Sequence, residues 1–327
     1  MGRFFEAMKR GLRTAGAALG MASSGTAPAE AAPPKNEEPA MEEEQNPYDV
    51  FDSVTESRHF EAHGDRWAIV AGQGMGAEGT AEAMAWIMEQ KDLEVLKTPL
   101  DDIALLMPKG HDAAPGCVMR VSEEGSLLME SVFPVLKGMS NEMKCLYGHV
   151  WKSSGGAEAD LFFEHESGAL ISLFDPYFAL DREAFLKNEP VSMEVAAWAY
   201  SVRKAETEYY VLNPESPAYK YWRKEHPEAG EEIRGYCKGI RAMLSREYAS
   251  EFSFRVPVEG VEKLMCANWP MYRIATRFVG EGEGLRGYLY IAERLLGDYV
   301  PQVGDDLEGV YWLTGHISRS GAGSSSD

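Results

Sequence analysis

The sequence predicts an α+β protein whose C-terminal part is an antiparallel β body, and two short runs of residues carry this prediction. Residues 252–256 (FSFRV) place phenylalanine and valine on one face of a strand and serine and arginine on the other. Residues 272–278 repeat the pattern, with Arg273 and Arg277 on the outward face. A period of two is typical of a sheet with one buried face, because successive side chains of a strand point to opposite sides.

The same alternation predicts a β domain over residues 141–318. Its strands are predicted at residues 145–151, 159–164, 169–174, 191–202, 252–256, 272–278, 287–291 and 310–317. Short strands, glycine-bounded turns and one long strand are typical of small closed barrels such as the OB-fold, and a β-sandwich is the alternative. An OB-like barrel is a similarity of fold alone and indicates no chemistry, because the same fold carries many functions.

A helical insertion is predicted within the barrel, over residues 214–249. Residues 216–225 and 228–248 are densely charged. The apolar residues of the second stretch recur at helical spacing: Ile233, Tyr236, Ile240 and Leu244. This spacing places them on one face of a helix, which would pack across a barrel end or a sheet face.

Residues 48–140 are predicted to form a small α/β module that precedes the barrel. Strands are predicted at residues 67–70, 93–96, 103–107 and 117–121, and helices at residues 81–90 and 126–136. Pro99, Pro108 and Pro115 interrupt this region, so its elements must be short.

The two termini have the composition of disordered segments. Residues 1–47 combine a basic start with an Ala/Pro/Glu-rich linker, and residues 319–327 are rich in glycine and serine. Such compositions cannot bury enough apolar surface to offset chain entropy. Within residues 1–20, apolar and basic side chains have a weakly amphipathic helical spacing. This segment is consistent with a poor secretory signal, a helix on an anionic membrane surface, or a frayed or partner-binding terminus.

The composition argues against several classes of function. Lysine and arginine number 32 against 52 aspartates and glutamates, and a net charge of −20 disfavours a nucleic-acid partner. The absence of a run of about 18 apolar residues predicts no transmembrane helix. Four widely spaced cysteines, Cys117, Cys145, Cys237 and Cys266, favour reduced thiols over disulfides or a zinc site. We therefore expect a cytoplasmic protein, or one held peripherally on the cytoplasmic membrane face.

One glycine motif suggests nucleotide binding. Gly74, Gly76 and Gly79 satisfy the pattern GxGxxG between a predicted strand and a predicted helix, and Glu94 follows in the next strand. In a dinucleotide fold such glycines let backbone N–H groups approach a pyrophosphate, and the acid binds a ribose hydroxyl. The region lacks room for repeated βαβ units, so a strand-to-helix turn is the alternative interpretation.

Aromatic residues interleaved with cations mark the candidate partner-binding residues: Tyr219, Tyr221, Trp222 and Arg223. Tyrosine, tryptophan and arginine dominate the binding energy of protein interfaces. The alternatives are that these side chains pack the insertion against the barrel, or that they stack nucleic-acid bases.

Together these features predict a non-catalytic protein-interaction or adaptor protein. The sequence contains no GxSxG elbow and no cysteine–histidine pattern of a nucleophile, so we predict no catalytic residues, metal ligands or cofactor. A nucleotide-dependent enzyme that uses the loop from Gly74 to Gly79 is the alternative.

Overall fold

The computed structural model of the chain describes residues 50–54, 77–228, 230, 232–280, 282 and 284–319. The predicted N-terminal arm, the strand at residues 67–70 and the tail from residue 320 onward lie outside the described residues. The helices are α1 (Ala77–Glu89), α2 (Phe178–Phe185) and α3 (Pro217–Glu225). None of these described helices is both long and apolar enough to cross a membrane.

Seventeen strands are found among the described residues. They are β1 (Phe51–Val54), β2 (Leu93–Lys97), β3 (Ile103–Pro108), β4 (Ala113–Val121), β5 (Leu127–Leu136), β6 (Met139–Trp151), β7 (Ala159–His165), β8 (Leu170–Asp175), β9 (Pro190–Lys204), β10 (Tyr209–Val211), β11 (Arg234–Tyr236), β12 (Ala242–Ser245), β13 (Glu251–Pro257), β14 (Gly260–Cys266), β15 (Trp269–Arg277), β16 (Arg286–Ala292) and β17 (Asp306–Ile317).

Five of these strands close into a barrel, in the order β6, β7, β8, β17, β9 and back to β6. All neighbouring pairs are antiparallel except β8 and β17, which run parallel beside Thr314 and Phe174. Helix α2 connects β8 to β9. A closed β-barrel is therefore confirmed in place of the alternative sandwich, but the predicted strands at residues 252–256, 272–278 and 287–291 lie outside it.

The barrel strands continue into a larger sheet on both sides. β13 pairs antiparallel with β17 and carries β12, while β16 pairs parallel with β9 and carries β15 and β14. β1 pairs parallel with β6. The predicted alternation is confirmed in β13, where Phe252, Phe254 and Val256 are buried in the larger apolar core and Ser253 and Arg255 are half-buried.

The module before the barrel is an antiparallel meander, β2-β3-β4-β5, with α1 beside it. The predicted helix at residues 81–90 is confirmed within α1, but the predicted helix at residues 126–136 is wrong. Those residues form β5, whose Val132 and Phe133 are fully buried. Pro134 would break a helix interior, whereas the edge position of β5 in this sheet tolerates proline.

A second apolar core joins this module to the outer face of the barrel. Trp198 and Trp312, which lie directly opposite each other on β9 and β17, are buried together with Tyr290. From the module, Ile87 and Phe133 complete the same cluster. The barrel strands are therefore covered on both faces here, which a simple apolar-in, polar-out pattern does not predict.

The second core also corrects the expected position of one arginine. Arg273 was predicted to point outward from β15 into solvent, but it is only 8% exposed. Its guanidinium group donates hydrogen bonds to Asp112 of the module and to Glu262 of β14. The β15 alternation itself is correct, since Tyr272 and Ile274 are buried on the opposite face.

The insertion is only partly helical. α3 lies within the predicted helix at residues 216–225, but the predicted helix at residues 228–248 is wrong, because this stretch forms β11 and β12. Gly235 and Gly239 interrupt it, and Gly239 has a φ of 72°. Glycine in a helix interior costs about 1 kcal/mol relative to alanine. The two glycines therefore disfavour a helix here, and the helical spacing of the apolar residues does not compensate.

Candidate partner-binding site

Two short strands, one just before the predicted insertion and one within it, form an aromatic ribbon, defined here as β10 and β11. They pair antiparallel, with Tyr209 opposite Tyr236 and Val211 opposite Arg234. Directly opposed residues of paired strands point to the same face. Tyr209 and Tyr236 are 46% and 69% exposed on that face, so two neighbouring tyrosine rings meet solvent together.

The local sequence explains why the ribbon forms. Gly235 lies opposite Tyr210, and the Tyr210 ring occupies the space that a Cβ atom at Gly235 would need. The backbone hydrogen bonds continue past both ends, from Leu212 N–H to the carbonyl of Ile233 and from Cys237 N–H to the carbonyl of Glu208. Ile233 and Cys237 are buried and anchor the ribbon to the protein.

Electrostatic contacts hold the exposed face of the ribbon in place. The Arg234 guanidinium group lies 4.6 Å from the centre of the Tyr209 ring and pairs with Glu232. A cation over an aromatic face is attracted by the ring quadrupole. The ribbon face thus has two tyrosines, one valine and one arginine.

Helix α3 carries the four residues predicted from sequence to bind a partner. Ser216 caps it by accepting a hydrogen bond from the Tyr219 N–H, and Pro217 occupies its first turn. Tyr221 is 70% exposed and Trp222 is 38% exposed, with the Trp222 ring 4.2 Å from His226.

The other two predicted residues are less accessible to a binding partner. Tyr219 is half-buried, and Arg223 donates a hydrogen bond to the carbonyl of Gly230. The structure therefore presents Tyr221 and Trp222 of the predicted set to solvent. The ribbon residues Val211, Arg234 and Tyr236 were not identified from sequence. The β-branched and aromatic run at residues 209–211 was the available signal for a strand.

Exposed apolar side chains concentrate between residues 209 and 244 of the sequence. Of nineteen exposed large hydrophobic residues in the described part of the chain, eight lie between residues 209 and 244. They are Tyr209, Tyr210, Val211, Tyr221, Trp222, Tyr236, Ile240 and Leu244. A single exposed apolar side chain needs no explanation, whereas neighbouring ones such as Tyr209 and Tyr236 mark a candidate interaction surface.

A pocket of about 830 Å³ lies at the base of the ribbon. We call it the base pocket; it is lined by the segments that flank the ribbon, residues 202–208 and Lys238, together with Arg255, residues 295–297, Tyr299 and residues 304–306. Apolar side chains from Val202, Leu295 and Leu296 contribute to its walls. The pocket and the ribbon are therefore continuous along the chain at Glu208 and Lys238.

Ion pairs organise the charges of the base pocket. Lys204 pairs with Asp305 at 2.6 Å, and Arg255 pairs with Asp306 at 3.2 Å. Burial opposes ionisation of Asp305, but hydrogen bonds from Lys204, Tyr299 and the Gln302 N–H outweigh it and lower its pKa. Asp305 therefore acts as a fixed anion in the wall of the base pocket, and Asp306 beside it holds Arg255.

The glycine motif has little structural support as a nucleotide site. Gly74 and Gly76 lie outside the described residues, and Gly79 is buried in the first turn of α1. Glu94 lies in β2, whose described pairing is antiparallel to β3. A dinucleotide fold requires parallel strands joined through the helix, and the described meander contains only antiparallel pairs.

Carboxylates and an imidazole converge in the protein interior near α2. Asp175 is fully buried; its Oδ1 accepts a hydrogen bond from the Tyr177 N–H, and its Oδ2 has no partner among the described residues. Burial and the neighbouring Asp181 raise the pKa of Asp175, against the opposing effect of Arg319. Burial also disfavours the charged form of His316, which lowers its pKa to about 4.

Two residues of this cluster, Asp181 and Arg319, also border a groove. Arg319 donates a hydrogen bond of 2.8 Å to Asp181 and lies over the Tyr177 ring. A groove of about 480 Å³ between β2 and α2 is lined by Asp181 and Arg319. Neither Asp175 nor His316 lines this groove or the base pocket, so neither is placed to act on a ligand there.

The thiols are not arranged as nucleophiles. All four cysteines are free and buried. Burial raises the pKa of Cys117 and of Cys145 to about 12, which keeps both protonated at neutral pH. Among the described residues, no group of three or more histidine, cysteine, aspartate or glutamate side chains could hold a metal ion.

Comparison with known proteins identifies no relative: no family model, no curated protein and no solved structure matches this chain.

Proposed function

We propose that the protein is a non-catalytic interaction or adaptor protein that binds a protein partner through the aromatic ribbon and the exposed side of α3. The observation that carries the proposal is the pair of tyrosines, Tyr209 and Tyr236, exposed side by side on one face of the ribbon. Aromatic side chains lose little conformational entropy when they are covered and supply large contact areas.

The barrel supports this proposal as an OB-like scaffold. In chain order its five strands are β6, β7, β8, β9 and β17. The first, β6, pairs with β7 and β9, whereas β8 and β17 run parallel to each other. Helix α2 connects β8 to β9. The insertion that carries the ribbon lies between the fourth and fifth barrel strands, β9 and β17. In OB-folds the loop at this position contributes to ligand binding, although this argument is one of fold analogy.

Other observations favour a protein partner over a nucleic acid. The net charge is −20, and the cations of the base pocket are already paired with carboxylates. Phosphate backbones are bound by unpaired lysine and arginine. A cytoplasmic location is part of the same proposal and is supported by four free cysteines, because oxidising compartments favour disulfides.

We expect Tyr236→Ser to remove partner capture without unfolding the protein. Tyr236 is 69% exposed, so its replacement should change the free energy of unfolding by less than about 0.5 kcal/mol. Affinity capture from an extract of the native host, quantified by mass spectrometry, should show at least one protein reduced about tenfold or more, since a central aromatic contributes 2 kcal/mol or more to an interface.

The matched control is Leu170→Ser on the outer face of the barrel, because Leu170 is 74% exposed. We expect this variant to capture the same proteins as the wild type. An unchanged capture profile for folded Tyr236→Ser would contradict the proposed binding surface.

A further inference from the structure

Both strands of the aromatic ribbon have an open edge. Among the described residues, β10 pairs only with β11, and each strand has three residues. An open edge presents unpaired backbone N–H and C=O groups, to which an extended segment of another protein can add as a further strand. A two-stranded hairpin is only marginally stable in water, so a third strand would also stabilise the ribbon.

The charge at the end of β10 indicates which side chain such a segment would carry. Glu206 is exposed in the lining of the base pocket and has no ion pair among the described residues. The cations of this region are each paired with another carboxylate: Arg203 with Glu308, Lys204 with Asp305, Lys238 with Glu208 and Arg255 with Asp306. The charge that remains uncompensated at the pocket is therefore negative.

We infer that the ribbon binds an extended peptide of its partner as a third strand along β10, with a lysine or arginine of that peptide held beside Glu206 in the base pocket. This inference rests on the proposed function and specifies the chemistry of the partner. β10 is the receiving strand because it follows closely on Glu206, which has no ion pair among the described residues, whereas Lys238 after β11 is already paired with Glu208.

Side-chain alternation gives this peptide a second property. Every other side chain of the added strand would lie on the face that holds Tyr209 and Val211. An alternating pattern of apolar and polar residues with one terminal cation is therefore the expected sequence. The net charge of −20 favours the approach of such a peptide.

The test uses the full-length protein and fluorescein-labelled hexapeptides of alternating valine and threonine, in which only the last residue varies between lysine, glutamine and glutamate. We expect fluorescence anisotropy to show that the lysine peptide binds about tenfold more tightly than the glutamate peptide. Glu206→Lys should remove or reverse this preference. The matched control Glu123→Lys makes the same change of net charge in the exposed turn between β4 and β5, and it should keep the preference.

Three results would contradict the inference, and they differ from a failure of the proposed function. The first is equal binding of all three peptides, lost in Tyr236→Ser; the ribbon would then bind peptides without using Glu206. The second is an equal loss of preference in Glu206→Lys and Glu123→Lys, which would indicate an unlocalised charge effect. The third is no binding of any hexapeptide while Tyr236→Ser still loses partner capture, which would overturn strand addition alone.

Discussion

Replacing Trp312 with alanine is expected to lower the free energy of unfolding by about 3–5 kcal/mol, the usual range for a buried tryptophan. Trp312 is fully buried on the outer face of the barrel, directly opposite Trp198, and its ring centre lies 4.5 Å from that of Phe174. The substitution removes the transfer free energy of the indole and leaves a cavity in the core that joins the barrel to the module.

Denaturant unfolding followed by circular dichroism measures this effect. Trp222→Ala is the matched control, because Trp222 is 38% exposed on α3; its loss should cost less than about 1 kcal/mol. A similar small cost for both variants would mean that the module does not pack on the barrel through Trp312.

Replacing Asp175 with asparagine is expected to stabilise the protein at neutral pH, by on the order of 1 kcal/mol, because burial opposes ionisation of this carboxyl group and one unit of pKa shift corresponds to about 1.4 kcal/mol. Asparagine keeps an oxygen acceptor for the Tyr177 N–H, which lies 2.8 Å from Oδ1 in the wild type. Asparagine cannot ionise, so the substitution removes the buried negative charge. In the wild type, Oδ2 of Asp175 has no hydrogen-bond partner among the described residues to stabilise that charge.

The stabilisation should depend on pH in one direction. The folded-state pKa of Asp175 is raised above the ordinary value of 3.8, so the carboxyl group favours folding below that value and loses this contribution as pH rises through the folded-state pKa. The difference between Asp175→Asn and the wild type should therefore be small near pH 4 and largest above neutrality. Asp298→Asn, which makes the same change of charge at an exposed position, is the matched control. A gain that is independent of pH would contradict this assignment.

His316 affects the wild-type pH profile in the opposite direction. Its pKa is lowered from 6.5 to about 4 by burial, so the unfolded chain binds the proton first as pH falls. Its contribution to stability is complete above pH 6.5 and decreases between pH 6.5 and about 4. Because the two effects overlap in this range, comparing Asp175→Asn with the wild type is necessary to separate them.

The barrel could be predicted from sequence because its strands alternate strictly on the inner face. In the barrel strand β9, Met193, Val195 and Ala197 are buried as their spacing predicts. The second core could not be predicted in this way. Trp198 and Tyr290 occupy positions that alternation assigns to the outer face, and only the packing of the module over them explains their burial.

The ribbon shows a different limit of sequence patterns. Tyr236 fits a helical stripe with Ile233 and Ile240, but Gly235 and Gly239 disfavour the helix. Residues 234–236 form a strand because they pair with β10, and the spacing of apolar residues along the chain does not predict such pairing between distant segments. The aromatic composition of this region predicted a binding surface, which stays a prediction, and only the fold shows which of its rings are exposed.

Site-specific photo-crosslinking tests the binding surface most directly. p-Benzoylphenylalanine is placed at position 236 of the ribbon or at position 170 of the barrel, and each protein is irradiated in an extract of the native host. If the ribbon is the partner-binding surface, position 236 gives a discrete crosslinked protein that position 170 does not. Identical crosslinking patterns at the two positions, or crosslinks at position 170 alone, would contradict it.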